Sequence, residues 1–108
     1  MLTFPGGETW SENDNRDNAP AIATRVASTI GKRHHVTGIL ASYSTARVGE
    51  VVITSGAQTL GRVFVHNSGE FSFPQPLIGL SSTAVTATLA ASGAPGTFGA
   101  ITLIGYTR

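Results

Sequence analysis

The residues able to carry out acid–base chemistry are few in this chain, and they are not grouped. The three histidines are His34, His35 and His66, and no nearby arrangement of serine and aspartate indicates a nucleophilic triad. Glu50 and Glu70 each flank a predicted strand and belong to no carboxylate pair suited to general acid–base catalysis. The sequence therefore predicts no catalytic residue, and we expect a protein that is not an enzyme.

The same residues are also poor candidates for metal ligands. His34 and His35 are adjacent, so on a strand they point to opposite sides and cannot chelate one ion together. One histidine repeated around a threefold axis would supply three imidazoles. The oxygens within residues 13–17 would suit calcium, but the glycine and the terminal glutamate of an EF-hand loop are missing. Since the chain also has no cysteine, we predict no metal and no cofactor.

Other partner classes are disfavoured by the charge pattern. Residues 31–35 form the only basic run, and no aromatic side chain is interleaved with it to stack on bases, so we predict no nucleic-acid partner. No apolar stretch approaches the length that spans a bilayer, so we predict no membrane partner. The N-terminus lacks the basic and then apolar run of a signal peptide, which predicts a protein made in the cytoplasm.

The composition favours strands and an assembled state. Val, Ile and Thr recur, Glu and Lys are scarce, and 13 glycines and five prolines punctuate short segments. Only 12% of the residues are charged, against about 25% in an average domain. Because a monomer needs a well-solvated surface, we expect neighbouring subunits to cover part of this one.

Seven segments have the composition and the turn signals of strands. They are 22–29, 34–43, 49–55, 59–66, 70–73 with 77–80, 84–90 and 98–107. No helix signal exceeds one turn. The sequence therefore predicts an all-β domain over residues 21–108, a two-sheet antiparallel sandwich of the jelly-roll kind.

Residues 1–20 are interpreted as an extended polar and acidic N-terminal arm without periodicity. They hold four acidic residues against one arginine, and they carry the aromatic residues Phe4 and Trp10. Such an aromatic side chain packs in a groove either of the same chain or of a partner protein. The charge pattern is compatible both with docking on a neighbouring copy and with a solvated tail.

The alternation of side chains distinguishes the last strand from the others. In 84–90 one face is apolar and the other is threonine, the pattern of a half-buried strand. In 98–107 apolar side chains occupy both faces, and 34–43 repeats this pattern. A two-layer sandwich would leave one of these faces exposed to water, so we predict that it is covered by another copy of the chain. The predicted interface residues are Phe98, Ile101, Leu103, Ile104, Tyr106, Ile39 and Tyr43.

Four stretches of the body also resemble a known class of proteins. They are Gly31-Lys32-Arg33-His34-His35-Val36-Thr37-Gly38-Ile39, Phe71-Ser72-Phe73-Pro74 with Leu77, Ala84-Val85-Thr86-Ala87-Thr88-Leu89-Ala90-Ala91, and Gly99-Ala100-Ile101-Thr102-Leu103-Ile104-Gly105-Tyr106-Thr107. Their order of turns and strands, over roughly residues 22–108, is similar to that of small structural proteins of tailed bacteriophages.

The resemblance implies a compact, often trimeric jelly roll that decorates or cements a capsid. The partner would be the major capsid protein or another virion protein, and the location would be the capsid surface. The arm would make the contact with the capsid or with a neighbouring copy, and the predicted contact residues are Phe4, Trp10, Asp14, Arg16 and Asp17. The alternative is a receptor- or glycan-binding module of a phage fibre or spike, which would use hydroxyl- and amide-rich loops together with Trp10 and Tyr43.

Overall fold

The computed structural model describes residues 8–108, which form eight strands. They are β1 (Glu8–Asp17), β2 (Ala21–Arg25), β3 (His34–Tyr43), β4 (Val48–Ser55), β5 (Gln58–His66), β6 (Ser68–Ile78), β7 (Val85–Leu89) and β8 (Phe98–Thr107). The bounds predicted for β3 and β8 are the observed ones. No described residue belongs to a helix that is long enough and apolar enough to cross a membrane.

The strands form two four-stranded antiparallel sheets. The first sheet has the order β1-β8-β3-β6, and the second has the order β2-β7-β4-β5. Successive strands alternate between the sheets except at the β4–β5 hairpin, and this is the double Greek key of a jelly roll. The predicted all-β, two-sheet, jelly-roll architecture is therefore confirmed.

The expected arm is wrong for residues 8–17, which form an edge strand of the first sheet. β1 pairs with β8 along its whole length, from Glu8 opposite Thr107 to Asp17 opposite Phe98. Trp10 on this strand is only 8% exposed and belongs to the core. A polar edge strand has no apolar periodicity to reveal it, because its main stabilisation is a backbone ladder and one buried aromatic side chain. Phe4 lies outside the described residues.

β6 continues through a segment that the sequence predicts as a turn. Pro74 and Pro76 lie inside the strand, at the edge of the first sheet, where a missing backbone N–H removes no ladder bond. The pairing with β3 is interrupted here, since Gly38 opposes Ser72 and Val36 opposes Leu77. The prolines therefore loosen the ladder without ending the strand.

The core lies between the sheets and follows the period-two pattern of the central strands. Val85, Ala87 and Leu89 on β7 are fully buried, as their alternation predicts. On β8 the inward positions are Ile101 and Leu103, which are 1% and 0% exposed. The side chain at each of these positions meets the opposing sheet, so the core is built from one face of each strand.

Gly105 allows Trp10 to enter this core. It lies opposite Trp10 in the β1–β8 ladder, and a Cβ placed on it would lie 2.8 Å from the indole ring and overlap the carbonyl of His35. A side chain at this position would push out either the indole or strand β3. The absence of a Cβ thus links the edge strand to the core.

Candidate functional site

His34 is a structural residue at the end of the core. Its side chain is 2% exposed, and its Nε2 lies 2.7 Å from the carbonyl oxygen of Val26. Because a carbonyl only accepts, Nε2 carries the hydrogen and donates it. Nδ1 lies 2.6 Å from Thr107 Oγ1, which also accepts the Trp10 Nε1–H at 2.9 Å. With the imidazole hydrogen on Nε2, the threonine hydroxyl donates to Nδ1 while it accepts from Trp10, so each of these polar atoms has a partner.

The other two histidines do not contribute to this buried network, because His35 faces the other side of the strand and His66 lies on the other sheet. His35 points to the opposite side of β3, as predicted, and its ring stacks on that of Tyr106 with centroids 4.7 Å apart. His66 is exposed on β5 of the other sheet. Within residues 8–108 no group of three or more His, Cys, Asp or Glu side chains is placed to hold a metal ion.

The acidic side chains of β1 are engaged within the chain. Asp14 Oδ2 accepts the backbone N–H of Ile22 at 2.8 Å and the Arg16 Nε–H at 3.0 Å. These two donors, the backbone one first, hold the pKa of the Asp14 carboxyl below its ordinary value of 3.8. Asp17 Oδ1 accepts the N–H of Gly96 at 2.8 Å.

Further ion pairs tie the same edge strand to the second sheet. Arg25 on β2 donates to Glu12 at 2.9 Å and to Glu8 at 3.4 Å, and its guanidinium lies 5.5 Å from the centre of the Trp10 ring. Together with the bonds of Asp14 and Asp17, these contacts fasten β1 to its own body. The prediction that Trp10 contacts a capsid or a neighbour is wrong, because the indole is in the core. Asp14, Arg16 and Asp17 lie on a strand rather than an arm, and their role in a contact with another protein stays a prediction.

The seven predicted interface residues divide into two sets. Four of them are buried in the core of the single chain: Ile39, Tyr43, Ile101 and Leu103. Their assignment to a trimer interface is wrong, because the opposing sheet already covers that face. Burial also raises the pKa of the Tyr43 phenol, whose hydroxyl donates to the carbonyl of Ala90 at 2.7 Å. The other three point outward: Phe98, Ile104 and Tyr106.

The outer face of the first sheet, which is turned away from the second sheet, has an apolar centre. We call this centre the outer patch and define it as Leu40, Phe98, Ile104 and Tyr106. Leu40 and Phe98 are 40% and 44% exposed, and Ile104 and Tyr106 are half-buried. All four lie on the central strands β3 and β8 along the middle of the face, where the polar side chains of Thr102 and Ser42 interrupt them.

Polar side chains border the outer patch on both edges. Because cross-strand partners share a face, the ladders place these residues beside it. They are Thr9, Ser11, Asn13 and Asn15 on β1 and Ser68, Glu70 and Ser72 on β6. An apolar centre with a polar rim is the anatomy of a protein–protein interface. The interpretation of residues 1–20 as an arm predicts no such rim, although small polar residues alternate at 9, 11, 13 and 15 of the sequence.

An open depression of about 980 Å³ lies at one end of this face. Its lining includes Thr9, Ser11, Thr37, Ile104, Tyr106 and Arg108. Thr37 is an extra residue in β3, since Val36 and Gly38 oppose consecutive residues of β8. The hydroxyls, the guanidinium and the aromatic edge could form polar and stacking contacts with a ligand.

Comparisons with known proteins give fold-level similarities only. No family model and no curated protein matches the chain. Among solved structures, the CBM36-1 domain of a multidomain xylanase from the hindgut metagenome of Trinervitermes trinervoides matches with 14% identity and a TM-score of 0.44. That match covers 88% of this chain and 73% of the other.

Two further structures are similar. A carbohydrate-binding module CBM36 in complex with calcium and xylotriose has 15% identity and a TM-score of 0.39, over 89% of this chain and 76% of the other. The virus-like particle of the extra small virus of the giant freshwater prawn Macrobrachium rosenbergii has 12% identity and a TM-score of 0.39, over 99% and 82%. At these scores the similarities carry no argument about ligand or assembly.

Proposed function

We propose that this chain is a non-enzymatic structural protein of a phage virion, a homotrimer that decorates or cements the capsid. It would be made in the host cytoplasm and act at the capsid surface, with the major capsid protein or another virion protein as partner. The observation that carries the proposal is the outer patch: four partly exposed apolar side chains along the middle of a face with polar edges, on a chain of which only 12% is charged.

The size of the outer face allows contact with other subunits. A four-stranded sheet with strands of about ten residues spans roughly 650 Å², and a trimer divides this area between two neighbours, so each contact is smaller than the ~800 Å² that one partner contributes to a standard interface. Around a threefold axis, each copy would place this face against the other two. A trimer also gives a weak capsid contact three simultaneous attachments, which raises the overall affinity without any new contact.

Sedimentation velocity tests the assembly. We expect the unmodified chain to sediment as a trimer at micromolar concentration, and Ile104→Asp on the outer patch to sediment as a folded monomer. The matched control is Val52→Asp, because Val52 is a half-buried aliphatic residue on the outer face of the second sheet. A stable monomer of the unmodified chain, or dissociation by Val52→Asp alone, would contradict the proposal.

Capsid attachment is tested by co-sedimentation with purified phage heads that lack the chain. We expect binding to saturate, with a whole number of chains bound at each symmetry-related site of the shell. Binding to no virion component would remove the cement function even if the trimer is present.

A second candidate, a glycan-binding module, is favoured by the depression beside Tyr106. Its aromatic and hydroxyl lining suits a sugar ring, but the depression shares Ile104 and Tyr106 with the outer patch. The two functions therefore compete for one surface. Specific binding on a glycan array that is lost in Tyr106→Ala, with no trimer in solution, would favour the glycan-binding function.

A further inference from the structure

The end of the sandwich that carries the β2–β3 and β6–β7 loops has unpaired positive charge. Lys32, Arg33 and Arg108 are exposed there, and none of them forms an ion pair within residues 8–108. Backbone hydrogen bonds between Arg33 and Arg108, at 3.0 Å in both directions, place these two residues opposite each other. We call this surface, residues 26–33 with Leu80 and Arg108, the basic end.

No acidic group in the described part of the chain forms an ion pair with these cations, although Glu8 lines the same depression as Lys32. The acidic groups of β1 bind Arg16, Arg25 and backbone N–H groups, as described above, and Glu50 pairs with Arg62 at 3.1 Å. Glu70 is left over, but it lies beside Leu40 near the far end of the first sheet. A second copy of the chain would have to exchange these existing contacts to offer its carboxylates, so charge complementarity favours a different, acidic partner.

Apolar side chains stand next to these cations. Ile30 is 96% exposed, Val26 is 71% exposed and Leu80 is 38% exposed. An isoleucine held almost wholly in water at a loop tip gains free energy when a partner covers it. The partner surface should therefore combine acidic and apolar side chains.

The loop that presents Ile30 is fixed by hydrogen bonds before any partner binds. Ser82 reaches across from the β6–β7 loop: its backbone N–H donates to the Lys32 carbonyl at 2.8 Å, and its Oγ donates to the Thr29 carbonyl at 3.2 Å. The Gly31 N–H donates to Ser82 Oγ at 3.1 Å. Because the loop is already ordered, binding pays less conformational entropy.

We infer that the basic end docks onto an acidic, partly apolar surface of another protein. The inference rests on the proposed function and deepens it, because it identifies the end of the body that meets the shell. A protein surface fits better than a nucleic acid. Residues 26–33 and 79–84 contain no aromatic side chain to stack on bases, and an exposed isoleucine gains nothing from a phosphate backbone.

The experiment measures binding of the full chain to two immobilised probes, poly-L-glutamate and a random copolymer of glutamate and leucine. The chain should bind the copolymer more tightly than poly-L-glutamate. Lys32→Glu should weaken both interactions about tenfold, and Ile30→Ser should weaken copolymer binding about threefold or more while leaving poly-L-glutamate binding unchanged.

The opposite end of the sandwich offers matched controls. Arg47 is exposed and has no ion pair in the described part of the chain, and its neighbour Val48 is 66% exposed. Arg47→Glu and Val48→Ser should each change binding by less than about twofold. They change charge and apolar surface in the same way as the test variants, but at sites outside the basic end. Circular dichroism of each variant confirms that the fold is intact.

Several results would overturn the inference. One is an equal loss of binding in the variants at Arg47 and Val48 and in those at Lys32 and Ile30. Another is equally tight binding of the unmodified chain to the copolymer and to poly-L-glutamate. Tighter binding to double-stranded DNA or to phosphatidylserine vesicles would assign the basic end to another class of partner. The result is separable from the proposed function: a sedimenting monomer that still binds the copolymer through Lys32 would refute the trimer and leave the docking end in place.

Discussion

At the scale of single residues, Thr107 connects two buried side chains from different strands. Its hydroxyl accepts from Trp10 Nε1 and donates to His34 Nδ1. Thr107→Val therefore leaves the indole nitrogen and this one imidazole nitrogen without a partner. Each unsatisfied buried group costs about 1–3 kcal/mol, and we expect a loss of about 2–4 kcal/mol in the free energy of unfolding. Urea denaturation measures it.

The control for this substitution is Thr88→Val on β7. Thr88 is half-buried on the outer face of the second sheet, and its hydroxyl makes no hydrogen bond within residues 8–108. Its replacement should change stability by less than about 0.5 kcal/mol. Equal losses in the two variants would mean that the Thr107 hydroxyl does not hold the network together.

Asp14 gives the fold a defined dependence on acid. Because the pKa of its carboxyl is lowered below 3.8 in the folded state, the unfolded chain takes up the proton more readily. The stabilisation is therefore present above about pH 4 and is lost as the pH falls through the folded pKa. We predict that the melting temperature of Asp14→Asn lies below that of the unmodified chain at pH 6 and converges with it as the pH falls below 3.8.

Thermal melts followed by circular dichroism between pH 2 and pH 7 test this dependence. Glu70→Gln is the control, since it removes an exposed acid that has no ion pair in the described part of the chain. A constant difference between Asp14→Asn and the unmodified chain across the whole range would contradict the prediction.

At the scale of elements, β1 decides whether the N-terminal region can be removed. An arm would be dispensable, whereas this strand forms the full ladder with β8 and supplies Trp10 to the core. Losing a buried aromatic side chain alone costs about 3–5 kcal/mol, a large part of the stability of a small domain. We therefore expect a chain without residues 1–20 to be unfolded or aggregated, with the edge of β8 exposed.

The matched control keeps β1 and removes its outward polar groups. Ser11→Ala together with Asn13→Ala changes side chains that are exposed on the outer face, so cooperative unfolding should be retained with a change below about 1 kcal/mol. A truncated chain with native dispersion of its amide resonances would show that β1 is peripheral to the fold.

At the scale of the whole molecule, neighbouring residues of β8 serve different purposes. Leu103 is 0% exposed between the sheets, and Ile104 belongs to the outer patch. Leu103→Asp buries an unpaired charge, and we expect a loss of about 4 kcal/mol or more, enough to abolish folding of a marginally stable domain. Ile104→Asp should leave the melting transition in place and act on assembly.

Circular dichroism and sedimentation of the two variants separate folding from association. Unfolding by both substitutions would mean that the outer patch is part of the core. Normal folding of Leu103→Asp would mean that the assignment of the two faces of β8 is reversed.

How much the sequence determines differs among the strands. Alternation and turn residues suffice for β3 and β8, whose observed bounds are those predicted, because a strand in the middle of a sheet must match its core face residue by residue. The same signals miss β1, whose side chains are mostly polar, and they break β6 at Pro74 and Pro76, which an edge position tolerates. β1 and β6 are specified by the strands they pair with, β8 and β3, and these are distant in the sequence.

The sequence by itself determined the class of fold, the scarcity of charge and the presence of strands that are apolar on both faces. Only the tertiary structure decided which face of β8 is inside. Alternation places Ile101 and Leu103 on one face and Ile104 and Tyr106 on the other. It does not show which of the two faces is in the core. The choice depends on the shape of the opposing sheet, on the glycine at 105 that admits Trp10 and on the strand that β1 joins. These are contacts between residues far apart in the chain, and no local pattern contains them.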